Sequence, residues 1–336
     1  MAIIVREQVA LGPQTTLKIG GPATYYIEVT TESELEEAVT FAEQKALPFC
    51  ILGGGSNMLV ADEGYRGVII NMRIQGRVYE QINSEMFTVH VGAGEVLDDF
   101  ISDLVERGLW GLENLSHIPG SVGATPVQNV GAYGVEVADV IARVRVFDAE
   151  TKTFFVLKNS ECGFSYRHSI FKEKYNLIIV SVTFSLFVIP KPNVTYAGLT
   201  SRLEGVPSLR NIRDTIIAIR SEKFPDWHTV GTAGSFFKNP LLTQSEVIVL
   251  LKKYPDIPTY PASNDLTKVS LGYILDKICG LKGFTIGPVR LYEKQALVLV
   301  AEEGATEADI KNFVKIISEK IFLKAFIKIS QEVTEI

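Results

Sequence analysis

Apolar and polar positions along the chain follow two periodicities, one typical of helices and one typical of strands. In residues 32–45 apolar side chains recur every three or four positions behind a Thr31-x-x-Glu34 sequence typical of a capping box, which predicts an amphipathic helix. Residues 179–186 alternate apolar and polar, which predicts a strand with one packed face and one more polar face. Further strands are predicted at 23–29, 49–52, 68–71, 87–91, 143–148, 153–157, 296–301 and 326–329, and further helices at 97–105, from 212, from 243, at 271–279 and from 306. The pattern indicates an α+β chain.

The organisation of the chain is predicted from its length and its breaks. A chain of 336 residues is long enough for two or three packed units. Pro190 and Pro192 mark the expected boundary between a strand-rich first half and a mixed second half. Between 109 and 137 glycine is frequent and periodicity is weak, but the stretch is too apolar for disorder, so this long loop is predicted to be ordered and functional.

Composition narrows the function classes without choosing one. Hydrophobic residues make up 46% and charged residues 21%, ordinary values for a globular protein. The net charge of −6, spread along the chain, gives no electrostatic footprint for nucleic acid. Three cysteines and four histidines stand isolated, without the spacing of a disulfide framework or a metal site. The N-terminus is unlike a signal peptide and no apolar run approaches a membrane span, so we expect a cytoplasmic protein with no metal, nucleic-acid or membrane partner.

A run of three glycines at 53–55, followed by Ser56 and Asn57, is the first candidate site. It comes directly after the predicted strand at 49–52, where successive backbone N–H groups can form a nest for phosphate oxygens. Met58 stands where a dinucleotide fingerprint needs its third glycine, and no G-K-[ST] of a P-loop occurs. Taken alone, a glycine-rich run after a strand is more often a simple turn than a phosphate site.

The second candidate lies in the long loop, where residues 118–124 and 128–134 combine glycines with apolar side chains. Small residues suit close packing against a flat ligand, and Gln128 and Asn129 can hydrogen-bond ring heteroatoms or phosphate. A loop packed on itself is the alternative. Two such segments in one unit favour a dinucleotide whose parts bind separately.

Two further segments offer polar groups suited to chemistry. Ser235 lies between Gly234 and two phenylalanines, but no G-x-S-x-G elbow occurs, so a proton donor or ligand contact is favoured over a nucleophile. Arg167 beside Tyr166 is a bidentate donor suited to a carboxylate or phosphate, although an ordinary ion pair is the alternative.

Taken in order, these segments resemble one family, the UDP-N-acetylenolpyruvoylglucosamine reductases, also called UDP-N-acetylmuramate dehydrogenases. The resemblance extends from residues 16–23 to 331–333, nearly the whole chain. The most specific segments are 53–57, 118–134, 166–172 and 234–240. Each segment is weak alone, and their order makes the resemblance specific.

The resemblance implies an FAD-dependent enzyme of the α+β class. It would have a two-lobed, vanillyl-alcohol-oxidase-like (PCMH-type) FAD-binding unit at 1–190, with lobes at about 1–72 and 73–190. An α+β domain at 191–325 would bind the UDP-sugar substrate, and a C-terminal segment at 326–336 would return to the active site. The implied cofactor contacts are Gly53, Gly54, Gly55, Ser56, Asn57, Pro119, Gly120, Ser121, Gly123, Ala124, Gln128, Asn129, Gly131, Ala132, Tyr133 and Gly134.

The resemblance also implies a reaction. NADPH, as co-substrate, would reduce the flavin and be replaced by UDP-N-acetylglucosamine enolpyruvate, which takes a hydride from flavin N5. Arg167 would clamp the substrate carboxylate, Glu332 would hydrogen-bond the same group, and Ser235, with Lys238 or water assisting, would protonate the enolate-like intermediate. The implied substrate contacts are Tyr166, Tyr196, Lys223, Asn239 and Gln295. Tyr196 indicates the subgroup with a tyrosine-bearing capping loop, whereas Lys223 is equally well a solvated helix end.

Three departures from the family's pattern bear on these expectations. Thr15 replaces an asparagine at a position we expect to be remote from the site. Pro288 and Arg290 stand where small residues are usual, which predicts either a reshaped pocket wall or an altered turn. The usual Glu-Pro pair before Glu332 is missing, which leaves Glu335 as a competing carboxylate.

Two alternatives stay open beside the reductase. An oxidase of the same flavin fold would use O₂ on another sugar or alcohol and would not need Ser235 and Glu332 together. A non-catalytic nucleotide-sugar-binding protein would bind no flavin and would tolerate Ser235→Ala. The reductase is favoured because the arginine, the serine and the carboxylate all occur, and we expect a monomer that acts on a small-molecule nucleotide sugar.

Overall fold

The computed structural model describes residues 3–262 and 265–336. Its strands are β1 (Val5–Ala10), β2 (Pro22–Val29), β3 (Phe49–Leu52), β4 (Met58–Leu59), β5 (Tyr65–Met72), β6 (Arg77–Gln81), β7 (Met86–Gly92), β8 (Gly131–Ala132), β9 (Val135–Glu136), β10 (Ile141–Asp148), β11 (Thr153–Lys158), β12 (Leu177–Phe187), β13 (Gly231–Ser235), β14 (Leu241–Leu242), β15 (Thr259–Pro261), β16 (Thr267–Val269), β17 (Thr285–Ile286), β18 (Val289–Leu291), β19 (Val298–Ala301) and β20 (Thr334–Glu335). Its α-helices are α1 (Glu32–Gln44), α2 (Leu97–Glu106), α3 (Ala197–Thr200), α4 (Leu209–Lys223), α5 (Gln244–Lys253), α6 (Leu271–Tyr273) and α7 (Glu307–Ala325).

The chain divides into two compact units, and each contains segments from distant parts of the sequence. The first unit consists of the described residues up to Val9, Ala23–Gly54 and Arg66–Arg220. The second consists of Ala10–Pro22, Gly55–Tyr65 and Ser221–Ile336. The glycine run is therefore divided, because its first two glycines belong to the first unit and its third to the second.

The first sheet of the first unit has the strand order β1-β2-β5-β3. Helix α1 begins where predicted, because the Thr31 side chain accepts the Glu34 N–H. The Glu34 carboxylate accepts the N–H of Thr30 at 2.7 Å, one residue earlier than in a capping box. Leu35 and Val39 of α1 are completely buried, so the predicted apolar face of the helix packs into the core.

The second sheet of the first unit has five strands in the antiparallel order β11-β10-β12-β7-β6. The alternating segment predicted at 179–186 forms the interior of the central strand β12. Val182, Phe184 and Leu186 on one face are completely buried, whereas Ser181 on the other face is half-buried. The prediction of one packed and one more polar face is confirmed.

The second unit holds a four-stranded sheet in the order β13-β19-β18-β17 and a three-stranded sheet in the order β14-β16-β15. A short parallel pair joins β20 to β4. Helices α5 and α7 both begin with a complete capping box, at Thr243 and Thr306, as predicted. With helices and sheets in both units, the α+β prediction is confirmed.

Two local predictions need correction. The strand predicted at 326–329 is not formed by these described residues, because Phe326 takes a left-handed conformation (φ 57°) that ends α7. The C-terminal strand forms later, as β20. The helix predicted at 271–279 does form, but its second part, Ile274–Ile278, is a π-helical turn.

Candidate functional site

In the first unit the glycine run packs directly against the long loop. A Cβ atom on Gly53 would lie 2.6 Å from Ser121 Oγ, and one on Gly54 would lie 2.6 Å from Gly120 Cα. Position 54 therefore tolerates no side chain while the Gly120 backbone stays in place, whereas a side chain at position 53 would require only that the Ser121 hydroxyl rotate away. Two candidate segments that lie far apart in the sequence thus form one backbone-lined surface.

This surface presents backbone donors that suit a diphosphate. Within the described part of the chain, the N–H groups of Gly54, Gly120 and Ser121 donate no hydrogen bond to another residue. The helical turn that follows, at Val122–Ala124, is held in place by a hydrogen bond from Gly123 N–H to Ala93 O at 2.9 Å. Clustered backbone N–H groups on a glycine-lined surface fit the pyrophosphate of a dinucleotide. The residues present therefore fit the predicted cofactor.

The side chain of Asn129 plays a different part from the predicted one. It is 1% exposed, and its Nδ2 donates to Glu136 Oε2 at 2.6 Å and to Ser165 O at 3.1 Å. Its Oδ1 accepts the Ala138 N–H at 3.1 Å. Because the amide is bound to protein partners, the Asn129 side chain helps to hold the loop in its conformation.

Arg167 is held beside the same loop. Its Nη2 donates to Gly131 O at 3.0 Å, and its guanidinium lies 5.5 Å from the centre of the Tyr166 ring. Ser169 Oγ donates to Val127 O at 2.7 Å, which ties the segment to the loop a second time. Arg167 has a positive φ of 55°, a conformation that non-glycine residues adopt at a cost. The structure therefore brings Tyr166 and Arg167 to the cofactor loop.

Helix α4 supports this loop through two arginines that the sequence analysis did not single out. Arg213 makes two hydrogen bonds to the Asp98 carboxylate, at 2.6 and 3.0 Å, and the same carboxylate accepts the His117 N–H. Arg220 Nε donates to His117 O at 3.0 Å, and its guanidinium also bonds the Tyr133 hydroxyl. Arg220 thus joins residues near both ends of the loop at 118–134.

Burial and charge shift the pKa values of this network. Burial lowers the pKa of Arg220, and burial likewise raises the pKa of Tyr133. Burial alone would raise the pKa of Asp98, but the hydrogen bonds from Arg213 and the His117 N–H outweigh it and lower that pKa.

The sequence signal that could have pointed to Arg213 and Arg220 is their seven-residue spacing, which places them on one helix face.

Tyr196 lies next to the loop at 128–134. Its ring meets the Tyr133 ring edge to face, with centroids 5.2 Å apart, and it remains 40% exposed. The preceding segment is hydrogen-bonded to the same region, since Asn193 Nδ2 donates to Gly134 O at 2.9 Å. Asn114 Nδ2 bonds both Tyr133 O and Asn193 O at 2.8 Å. The tyrosine is thereby placed over the loop.

In the second unit a β-bulge presents Ser235. Strand β13 pairs with β19 through Thr232 and Val300 and again through Ser235 and Val298, with a register shift between the two pairs. Gly234 within the shift has φ 69°. The one extra residue turns the end of the strand, which is a common way to aim a side chain.

The C-terminal segment runs beside Ser235. Glu332 N–H donates to Phe236 O at 2.7 Å, and Lys238 N–H donates to Ser330 O at 2.9 Å. Asn57 Nδ2 donates to Glu332 O at 3.2 Å. The second unit therefore brings together Asn57, the segment after Ser235, and Glu332.

The competing carboxylate, Glu335, has different surroundings. It accepts a hydrogen bond from Gln331 Nε2 at 2.5 Å and pairs with Lys311 at 3.3 Å. The hydrogen bond from Gln331 and the charge of Lys311 lower the pKa of Glu335. The carboxylate of Glu335 is thus already engaged by Gln331 and Lys311.

The remaining predicted substrate residues lie in the second unit. Asn239 Oδ1 accepts the Leu271 N–H at 3.0 Å at the start of α6, so half of its amide has a structural use. Gln295 Oε1 accepts the Leu297 N–H at 3.5 Å. Lys223 is the last residue of α4 and is half-buried. This burial fits both a substrate contact and a solvated helix end.

Comparison with known proteins decides the family. Family models match residues 23–155, as an FAD binding domain, and residues 226–336, as the C-terminal domain of UDP-N-acetylenolpyruvoylglucosamine reductase. The UDP-N-acetylenolpyruvoylglucosamine reductase of Neisseria gonorrhoeae is 38% identical, with 98% of this chain and 96% of the relative covered. That of Bacteroides fragilis is 39% identical, with 91% and 92% covered. The chain belongs to the UDP-N-acetylenolpyruvoylglucosamine reductase family.

A solved structure agrees with this family assignment. The crystal structure of the UDP-N-acetylenolpyruvylglucosamine reductase from Thermus caldophilus matches with a TM-score of 0.70 at 26% identity, over 99% of both chains. The predicted α+β class is confirmed: an FAD binding domain is followed by the C-terminal domain of this reductase family, and the whole chain matches a solved member. This member of the reductase family is an FAD-binding oxidoreductase.

The departures from the family pattern have distinct structural outcomes. The expectation that Thr15 is remote is wrong, because a Cβ on Gly55 would lie 2.1 Å from Gln14 O and 2.9 Å from Thr15 Cα. Pro288 lies in the turn between β17 and β18. Arg290 bonds the Glu302 carboxylate at 3.0 Å and a second glutamate, Glu293, at 2.6 Å. In this family member the two residues form a turn with a surface ion cluster.

Each unit of this reductase-family chain thus gathers its own group of site residues. Arg167 and Tyr196 lie with the long loop in the first unit, whereas Ser235, Asn57 and Glu332 lie together in the second.

Among the described helices, none is long and apolar enough to cross a membrane.

Proposed function

We propose that this protein is an FAD-dependent reductase that uses NADPH to convert UDP-N-acetylglucosamine enolpyruvate to UDP-N-acetylmuramate, a step of bacterial peptidoglycan precursor synthesis. Membership of the reductase family and the fit of the glycine-lined surface to a pyrophosphate support this proposal. The observation that carries it is the main-chain pairing of the C-terminal segment with the residues that directly follow Ser235, since this brings the backbones of Ser235 and Glu332 close together in one unit.

The cofactor would be held by backbone groups. Gly53–55 and the loop at 119–124 would bind the pyrophosphate, and residues 128–134 would contact the rest of FAD. When bound, that group supplies a hydride, which originates from NADPH and passes from flavin N5 to the terminal carbon of the enolpyruvyl double bond.

The chain's own residues would handle charge and the proton. Arg167 binds the substrate carboxylate and so stabilises the negative charge that develops beside it. Ser235 then gives its hydroxyl proton to the other carbon of the former double bond. That carbon is a strong base, which allows a weak acid such as serine to act. Glu332, in its protonated form, hydrogen-bonds the same carboxylate, and Lys238 or water helps to restore the serine proton.

The nucleotide part of the substrate would contact Tyr166, Tyr196, Lys223, Asn239 and Gln295. Tyr196 would belong to the tyrosine-bearing capping loop of one subgroup of the family, and its 40% exposure is consistent with a contact to the substrate. We keep the expected domain limits, with the FAD-binding unit at 1–190, the substrate domain at 191–325 and the C-terminal segment at 326–336. We also propose that the protein acts as a monomer.

Anaerobic stopped-flow measurements on the FAD-loaded protein test this function. Wild type should oxidise NADPH catalytically only when the enolpyruvyl substrate is present. Ser235→Ala should keep flavin reduction by NADPH and lose flavin reoxidation by the substrate by about a hundredfold or more, as for other single catalytic acids. Normal turnover by this variant would contradict the role of Ser235. Flavin reduction that stops after one turnover, with or without substrate, would instead favour the oxidase.

A further inference from the structure

The backbone of Glu332 is held at both of its polar groups. Its N–H donates to Phe236 O at 2.7 Å, and Phe236 directly follows Ser235. Its carbonyl accepts a hydrogen bond from Asn57 Nδ2 at 3.2 Å, and Asn57 ends the glycine turn. The backbone of Glu332 is therefore fixed between Phe236, which follows Ser235, and Asn57, which ends the glycine turn.

Asn57 contacts the C-terminal segment a second time. Its own carbonyl accepts the Thr334 N–H at 3.0 Å, where β20 begins its parallel pairing with β4. Between the two contacts Val333 is 4% exposed and packs in the same apolar cluster as Leu59. The side chain and the main chain of one asparagine thus bracket Val333, which sets the position of the residue before it.

A side-chain amide is needed at position 57 for this arrangement. The acceptor is a main-chain carbonyl, so the partner must donate, and a carboxylate of the same shape would be repelled. Asn57 is also an expected FAD contact, and its Nδ2 donates to the Glu332 carbonyl. Without the amide, the C-terminal segment keeps its main-chain pairing with the residues after Ser235. It loses the hydrogen bond that attaches Glu332 to the glycine turn.

We infer that Asn57 is a positioning residue for Glu332 and attaches that residue to the cofactor turn. This inference rests on the proposed function, in which Glu332 acts only after the flavin has been reduced. Loss of the Asn57 amide should therefore slow the half-reaction in which substrate reoxidises the flavin and spare the one in which NADPH reduces it. A residue that only bound FAD would instead affect FAD affinity and both half-reactions.

The test uses Asn57→Ala, which removes the donor without adding a charge to the turn, with Asn57→Asp as a second variant. For Asn57→Ala we expect FAD affinity within about threefold and the NADPH half-reaction within about twofold of wild type. Flavin reoxidation should fall about tenfold, the scale of one hydrogen bond, with a displaced pH profile. On a Glu332→Gln background the same substitution should add less than about a twofold loss, because it acts through Glu332.

Amide hydrogen exchange gives a readout that does not depend on activity. Exchange in the peptide 326–336 should increase in Asn57→Ala and stay unchanged in Ser235→Ala, because the C-terminal segment pairs with the residues after Ser235 through main-chain groups. Equal slowing of both half-reactions, unchanged exchange, or losses that multiply on the Glu332→Gln background would each overturn the inference. If wild type does not oxidise NADPH with the enolpyruvyl substrate, the proposed function fails instead, and the exchange result still decides whether Asn57 holds the C-terminal segment.

Discussion

Gly55 allows the sharpest prediction about the stability of the cofactor turn. Its φ is 64°, and a Cβ there would lie 2.1 Å from Gln14 O, a backbone atom that cannot rotate away. Alanine would therefore carry two costs, about 1–2 kcal/mol for the left-handed backbone and about 1–3 kcal/mol for overpacking. We expect Gly55→Ala to lower the free energy of unfolding by the sum of these costs, about 2–5 kcal/mol.

Two matched variants separate these costs. Gly108→Ala also has positive φ (73°) but has no atom within 4 Å of its Cβ, so it should cost only about 1 kcal/mol. Gly123→Ala has no positive φ, but its Cβ would lie 2.5 Å from Ala93 Cβ, so it isolates the steric cost. Urea unfolding of the three variants at one fixed FAD concentration measures the differences. A loss for Gly55→Ala no larger than that for Gly108→Ala would refute the close approach to Gln14.

The remaining predictions concern buried charge. Burial raises the pKa of Glu113, whose carboxylate accepts the Gly111 N–H, so wild type should lose stability as pH rises through that pKa. Glu113→Gln should remove this loss, and urea unfolding from pH 4 to 8 checks it; parallel profiles for the two proteins would contradict it. The pKa of Asp98 is lowered, so its contribution is present above its unfolded pKa and is lost as pH falls through the folded value. Asp98→Asn should cost about 2 kcal/mol at pH 7, as for hydrogen bonds to a charged partner, and progressively less in acid; a constant difference would show that Arg213 does not stabilise the fold through this charge.

Local features could be predicted because their donors and acceptors lie within a few residues of each other. The capping boxes at Thr243 and Thr306 join side chains and main-chain N–H groups of residues three positions apart. Their sequences alone therefore specify where α5 and α7 begin. The alternation in β12 likewise reports burial directly, since successive side chains point to opposite faces. Phe326 was misassigned because its left-handed conformation, which ends α7, is rare for an aromatic residue and has no sequence signature.

The sequence by itself therefore determined the fold class, the family and the segments that form the site, because periodicity, caps and glycine-rich turns are local or ordered along the chain. Only the tertiary structure decided which of these segments touch. Asn57 and Glu332 are 275 residues apart, and Asp98 and Arg213 are 115 residues apart. Their hydrogen bonds depend on how sheets and loops pack, and no local pattern encodes a partner at that distance. The same reason explains why Asn129, selected as a cofactor ligand by its amide, proved to hold its own loop in place.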